Sequence, residues 1–119
     1  MRKLMVIFGV LMCSVAVAAP KAGDRVLAVW GDGFFYPGRV QALTDGGASI
    51  AFDDGDVANV ALDKLRAVDW RVGSDVQCNF KNQGKYYPGK IARMDGETIA
   101  IAYADGDSET ATISRCRSR

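Results

Sequence analysis

Histidine is absent from this 119-residue chain. With it goes the side chain that most readily exchanges a proton near neutral pH, and the base of the usual Ser-His and Cys-His nucleophilic pairs. No cysteine has a plausible base beside it, and no glycine-rich loop leads into a helix that could hold a phosphate. An enzyme is therefore not expected, and neither is a cofactor. No segment has the length and 3.6-residue period of a true helix, which leaves an all-β chain. Charge of one sign is lacking too, since 15 basic residues face 14 acidic ones. A basic stripe of the kind that nucleic acid requires is missing. Asp53, Asp54 and Asp56 lie close together, but they lack the twelve-residue spacing and the bidentate Glu of a calcium loop, so no metal is expected.

Long hydrophobic runs are also missing. The longest, residues 4–19, has 16 residues, short of the roughly 20 that span a bilayer. Arg2 and Lys3 precede it, and Ala16-Val17-Ala18 supplies small residues at the spacing a signal peptidase reads, before Ala19-Pro20. Residues 1–19 are read as a cleaved secretory signal, which places the mature chain in the periplasm or outside the cell. A retained anchor and a lipid attached at Cys13 are the competing readings, the second weakened by the bulky Met12. Removing Arg2 and Lys3 from the 15 basic residues leaves 13 against 14 acidic, a formal charge of −1. Cys78 and Cys116 then remain, and an exported chain is expected to pair them.

What the chain does have is a duplication. Gly33-Phe34-Phe35-Tyr36-Pro37-Gly38-Arg39-Val40 returns 51 residues later as Gly84-Lys85-Tyr86-Tyr87-Pro88-Gly89-Lys90-Ile91. Ile50-Ala51-Phe52-Asp53-Asp54-Gly55-Asp56 returns at the same offset as Ile101-Ala102-Tyr103-Ala104-Asp105-Gly106-Asp107. Gly23-Asp24-Arg25-Val26 and Gly73-Ser74-Asp75-Val76 match at an offset of 50, so the second copy gains one residue before its Tyr-Pro-Gly block. Two small units are expected, over residues 20–66 and 73–119, joined by a linker at 67–72.

Within the first unit, residues 24–30, 34–43, 48–53 and 56–62 are rich in β-branched and aromatic side chains. Gly31-Asp32-Gly33, Asp45-Gly46-Gly47 and Asp54-Gly55 separate them, which is hairpin punctuation. A helical turn at 62–65 and a short last strand through Val68 complete about five strands, and closure into a small barrel would hide their edges. If first and last strands lie side by side, Cys78 and Cys116 stand opposite each other in the second unit, where the first unit has Ala28 and Leu65. Units this small are marginal alone. The short linker and the large Trp70 within it predict that the barrels dock with Trp70 at or near their interface; a Trp70 exposed for ligand contact is the competing reading.

Meander topology carries Trp30, Tyr36, Phe52 and Asp54 to one rim of the first barrel. Phe80, Tyr87, Tyr103 and Asp105 fall at the equivalent rim of the second. Ring faces attract a poorly hydrated cation by roughly 0.5 to 2 kcal/mol each, and a carboxylate adds charge and accepts a hydrogen bond from any remaining N–H. The same residues also have an architectural reading, with Trp30 and Phe52 as core, Tyr36 and Tyr87 as packing groups and Asp54-Gly55 as an ordinary turn. Pro37, Gly38, Pro88 and Gly89 are assigned to architecture, because Pro fixes φ and Gly permits a bend.

Val-x-Ala-x-Trp, then an aromatic-Tyr-x-Gly-Arg/Lys-Val segment, then Phe-Asp-Asp-Gly-Asp resembles the Tudor domain, a five-stranded SH3-like barrel of the Royal family. The resemblance covers residues 23–117, and the duplication is similar to tandem Tudor modules. It implies two tandem SH3-like barrels and an aromatic cage for methylated lysine or arginine at Trp30, Tyr36, Phe52 and Asp54. By the same resemblance Phe80, Tyr87, Tyr103 and Asp105 form a weaker second cage, since Phe80 replaces the tryptophan. Some members carry a further aromatic where this chain has Asp56 and Asp107, so the cage is expected to be more open here. The implied partner is a protein or peptide bearing a methylated or cationic side chain, or a small quaternary amine. A structural protein of the cell envelope and an SH3-like wall binder remain as alternatives.

Overall fold

Eight glycines with positive φ punctuate the described chain, among them Gly23, Gly33, Gly46 and Gly55 and their counterparts Gly73, Gly84, Gly96 and Gly106. Between them run short strands of β-branched and aromatic residues. A computed structural model describes residues 19–119. The signal-peptide reading of residues 1–19 thus lies outside the described residues except for Ala19, as does Cys13. Among the described residues no helix is long and apolar enough to cross a membrane.

The first repeat comprises β1 (Arg25–Val29), β2 (Phe35–Thr44), β3 (Gly47–Phe52), β4 (Val57–Ala61), a 3-10 turn (Leu62–Lys64) and β5 (Leu65–Ala67). The second follows the same plan with β6 (Asp75–Asn79), a 3-10 turn (Phe80–Asn82), β7 (Tyr86–Asp95), β8 (Thr98–Tyr103), β9 (Ser108–Thr112), a 3-10 turn (Ile113–Arg115) and β10 (Cys116–Arg117). Each repeat is one antiparallel five-stranded sheet, ordered β4-β3-β2-β1-β5 and β9-β8-β7-β6-β10. Apart from these 3-10 turns the described residues are all-β, two tandem five-stranded SH3-like barrels.

Curvature comes from the same devices in both copies. The ladder slips by one residue between Val40 and Ala42 in β2, and between Ile91 and Arg93 in β7. Such bulges bend a long strand so that one end pairs with its predecessor while the other turns toward its successor. The Pro-Gly pair marks a close backbone approach: a Cβ on Gly38 would meet Ile50 Cγ2 at 2.8 Å, and one on Gly89 would meet the Ala102 carbonyl at 2.9 Å.

First and last strands are neighbours. Ala28 pairs with Leu65, and at the matching register Cys116 pairs with Cys78, where a disulfide joins them with an S–S distance of 2.03 Å. Both cysteines are fully buried.

The two cores are not independent. Val26 and Ala28 face the first repeat's own core, together with Val40, Ile50, Phe52 and Val60. Leu27, on the opposite side of β1, is buried in the second repeat's core beside Trp70, Val76, Ile91 and Ile113. Alternation therefore buries β1 on both faces, which accounts for its unbroken apolar run Val26-Leu27-Ala28-Val29. Trp70 is 6% exposed, and its indole N–H donates to Ser118 Oγ at 3.0 Å. The expected docking of the linker tryptophan is thus a packed feature of the fold.

Candidate functional site

The turns that lead into and out of β2 and β3 deliver four side chains to one place. Trp30 follows the end of β1, where its backbone N–H donates to the Phe34 carbonyl and its carbonyl accepts from Gly33 N–H. Tyr36, the second residue of β2, pairs with Ala28, and Phe52 closes β3 opposite Gly38. Asp54 stands on the β3-β4 turn, with Oδ1 accepting the Asp56 backbone N–H at 3.0 Å. Its second oxygen takes no hydrogen bond among the described residues.

Trp30, Tyr36, Phe52 and Asp54 line one concavity of about 110 Å3, together with Tyr86 from the second repeat. Trp30 and Phe52 meet edge to face, with ring centroids 5.2 Å apart and planes at 79°. Tyr36 and Tyr86 do the same at 6.2 Å and 89°. Phe52 is only 6% exposed and belongs to the core, whereas Trp30 is 39% exposed. Phe52 thus has the buried position that the packing reading expects, whereas Trp30 packs edge to face on Phe52 and leaves part of its ring open to solvent.

Tyr36 is fixed at both ends of its hydroxyl. It donates to Asp32 Oδ2 and accepts from Arg117 Nη1–H at 2.8 Å. Burial first, and then the Asp32 hydrogen bond, push its phenol from the ordinary 10 up to about 12, against the opposing charge of Arg117. Burial resists ionisation of Asp32. The hydrogen bonds from Tyr36 and from the Phe34 backbone, with the Arg117 charge, still hold its carboxyl below the usual carboxylate range. Burial also raises the Tyr86 phenol, Arg117 lowers it, and the charges of Asp54 and Asp32 raise it further.

The equivalent rim of the second repeat is arranged differently. Phe80 and Tyr103 keep the edge-to-face pair, with centroids 5.3 Å apart. The extra residue of this copy, however, throws Phe80 onto a 3-10 turn whose Lys81 and Asn82 adopt φ of 52° and 56°. Lys81 Nζ then lies 5.2 Å from the Phe80 ring centroid. Tyr103 is buried and its hydroxyl donates to Glu109 Oε2 at 2.7 Å, while Glu109 also accepts from Arg115. Tyr87 is 41% exposed and Asp105 accepts the Asp107 backbone N–H. A wider groove of about 600 Å3 includes Tyr103 with Phe34, Pro88, Gly89 and Arg119, but it does not gather the other three residues. The second set is thus not brought together around either concavity.

Residues 22–68 match the family model for the Tudor domain of the DNA repair protein Crb2. Among solved structures, the tandem Tudor domains of Crb2 superpose with a TM-score of 0.59 at 17% identity, covering 87% of this chain and 82% of that one. The fold is that of tandem Tudor domains. A tandem Agenet pair, domains 3 and 4 of ADCP1, aligns with a TM-score of 0.40 at 13% identity, over 85% of this chain and 81% of that one. No curated protein matches this chain.

Two residues escaped the sequence reading: Tyr86, which lines the concavity, and Arg117, which bonds the Tyr36 hydroxyl and lies over the Tyr86 ring behind it. Tyr86 was visible only as the residue beside Tyr87, and period-2 alternation on β7 sends it to the opposite face, toward the first repeat. Arg117 lay in the short last strand, where nothing in the sequence separates a surface arginine from one that reaches another unit.

Proposed function

We propose that the chain is an exported, non-catalytic binding module that takes a methylated or otherwise poorly hydrated ammonium group, carried on a protein or a small molecule, at the rim of its first repeat. The observation that carries this reading is the meeting of Trp30, Tyr36, Phe52 and Asp54 around one concavity. Aromatic faces compensate a cation that has little hydration to lose, and the free Asp54 oxygen supplies the opposite charge. The Tudor-like fold supports the binding role, and the resemblance to Tudor domains supports methylated lysine or arginine as the chemistry. Export is proposed from residues 1–19, and the Cys78–Cys116 disulfide suits an oxidising compartment.

The test is an NMR titration with trimethyl-lysine, dimethyl-arginine and choline. Trp30 and Tyr36 signals shift together on this reading, and Trp30→Ala folds but loses the response. Silence from all three amines at millimolar concentration would discard the cup as a cation site.

A further inference from the structure

We infer that the cup is a composite of both repeats: Tyr86 of the second repeat supplies its fourth aromatic wall, and Arg117 is the residue that positions that wall. The inference rests on reading the cup as a cation site. Its first support is that Tyr86 lines the same concavity as Trp30, Tyr36, Phe52 and Asp54. A second is orientation, since Tyr86 meets Tyr36 edge to face, with centroids 6.2 Å apart and planes at 89°, so that rings of both repeats meet at the cup.

Arg117 explains how a residue from another unit is held with the accuracy a wall needs. Its guanidinium carbon lies 4.1 Å from the Tyr86 ring centroid and 4.0 Å from that of Phe34. Its N–H groups donate to Tyr36 Oη at 2.8 Å and to Gln77 Oε1 at 3.0 and 3.1 Å. One planar fork thus ties a ring of the first repeat to a ring and an amide of the second, a task that suits arginine and not lysine. The neighbouring Cys116 is bonded to Cys78, so the strand that carries Arg117 is covalently fixed beside β6. The consequence is that ligand affinity depends on how the repeats sit together, although the first repeat holds four of the five walls.

The test uses the mature chain and trimethyl-lysine as probe. Tyr86→Phe keeps the ring and binds within about twofold of the parent, whereas Tyr86→Leu weakens binding about 3- to 30-fold, the loss of one ring face. Methyl protons of the bound probe show NOEs to Tyr86 as well as to Trp30 and Tyr36. Arg117→Ala, which touches no ligand, weakens binding and erases the NOEs between the Tyr36 and Tyr86 rings, while Arg117→Lys restores neither in full. Wild-type affinity in Tyr86→Leu alongside lost affinity in Trp30→Ala overturns the composite wall and leaves the cup reading intact. Methyl NOEs that reach Trp30 and Tyr36 but not Tyr86 do the same, even if the leucine variant fails to fold. Unchanged Tyr36–Tyr86 NOEs in Arg117→Ala overturn the positioning role. Absence of binding by the parent chain removes both this inference and the reading beneath it.

Discussion

Tyr36 is the residue on which the two roles of this rim meet, because its ring lines the cup while its hydroxyl joins Asp32 to Arg117. Its phenol, raised to about 12 chiefly by burial and then by the Asp32 hydrogen bond, gives a direct reading of that environment. The folded value lies above the ordinary 10, so the stability tied to the neutral hydroxyl is complete below pH 10 and is lost as pH rises through about 12. Phenolate absorbance or tyrosine NMR in alkaline titration should show this late phenol, and Asp32→Asn should bring it down toward the ordinary value. An unshifted tyrosine spectrum in the parent would contradict the burial. At this scale the sequence was legible for Trp30, Tyr36, Phe52 and Asp54, since glycine punctuation dates the ends of strands and a meander sends those ends to one rim. It was silent on Lys81, whose approach to Phe80 follows from a one-residue insertion that only a loop conformation can place.

Strands were the most readable elements, and their repetition explains why. Bulges at the same position of β2 and β7, Pro-Gly in the same close approach and matching hydrogen bonds across the β3-β4 and β8-β9 turns all recur at an offset of 51. A Gly38→Ala substitution should therefore cost about 1 to 3 kcal/mol, because the new methyl meets both Ile50 and the Ala51 carbonyl and β2 cannot retreat without breaking its ladder. Thermal unfolding checks it, and an unchanged Tm would show that the sheet yields more easily than its geometry suggests. The pairing of Cys78 with Cys116 was legible for the same reason, since the first repeat has Ala28 opposite Leu65 there. The bridge spans 38 residues, and in the chain-entropy model a loop of that size contributes about 4 kcal/mol. The double variant Cys78→Ala, Cys116→Ala should lose most of that in denaturant unfolding. Intact mass of the exported protein should be two hydrogens short of the free-thiol value.

At the scale of the whole molecule, that the repeats dock was written in the short linker and in Trp70, but how they dock was not. Surface arginines and carboxylates look alike in sequence whether they face water or a second unit. Arg25 is the clearest case: it donates to both oxygens of Asp53 in its own repeat and to both oxygens of Glu97 in the other, while Ser114 of the second repeat donates to Asp53. Burial resists ionisation of Asp53, yet the hydrogen bonds from Arg25 and Ser114 hold its carboxyl below the usual range, and the Arg25 hydrogen bond lowers Glu97 as well. Folded values below the ordinary ones mean that the stabilisation is present above about pH 4 and is lost as pH falls through the lowered values. Acid should therefore loosen the clasp between repeats before it melts either sheet. Small-angle scattering would record an increase in radius of gyration below pH 4, with a change in Trp70 fluorescence as its hydrogen bond to Ser118 is disturbed. Arg25→Ala removes the common partner of two carboxylates and should cost about 1 to 3 kcal/mol, with the expanded form appearing already at neutral pH. If that variant keeps the parent's dimensions, Leu27 and Trp70 hold the repeats together by apolar contact alone, and the charged clasp only sets their orientation.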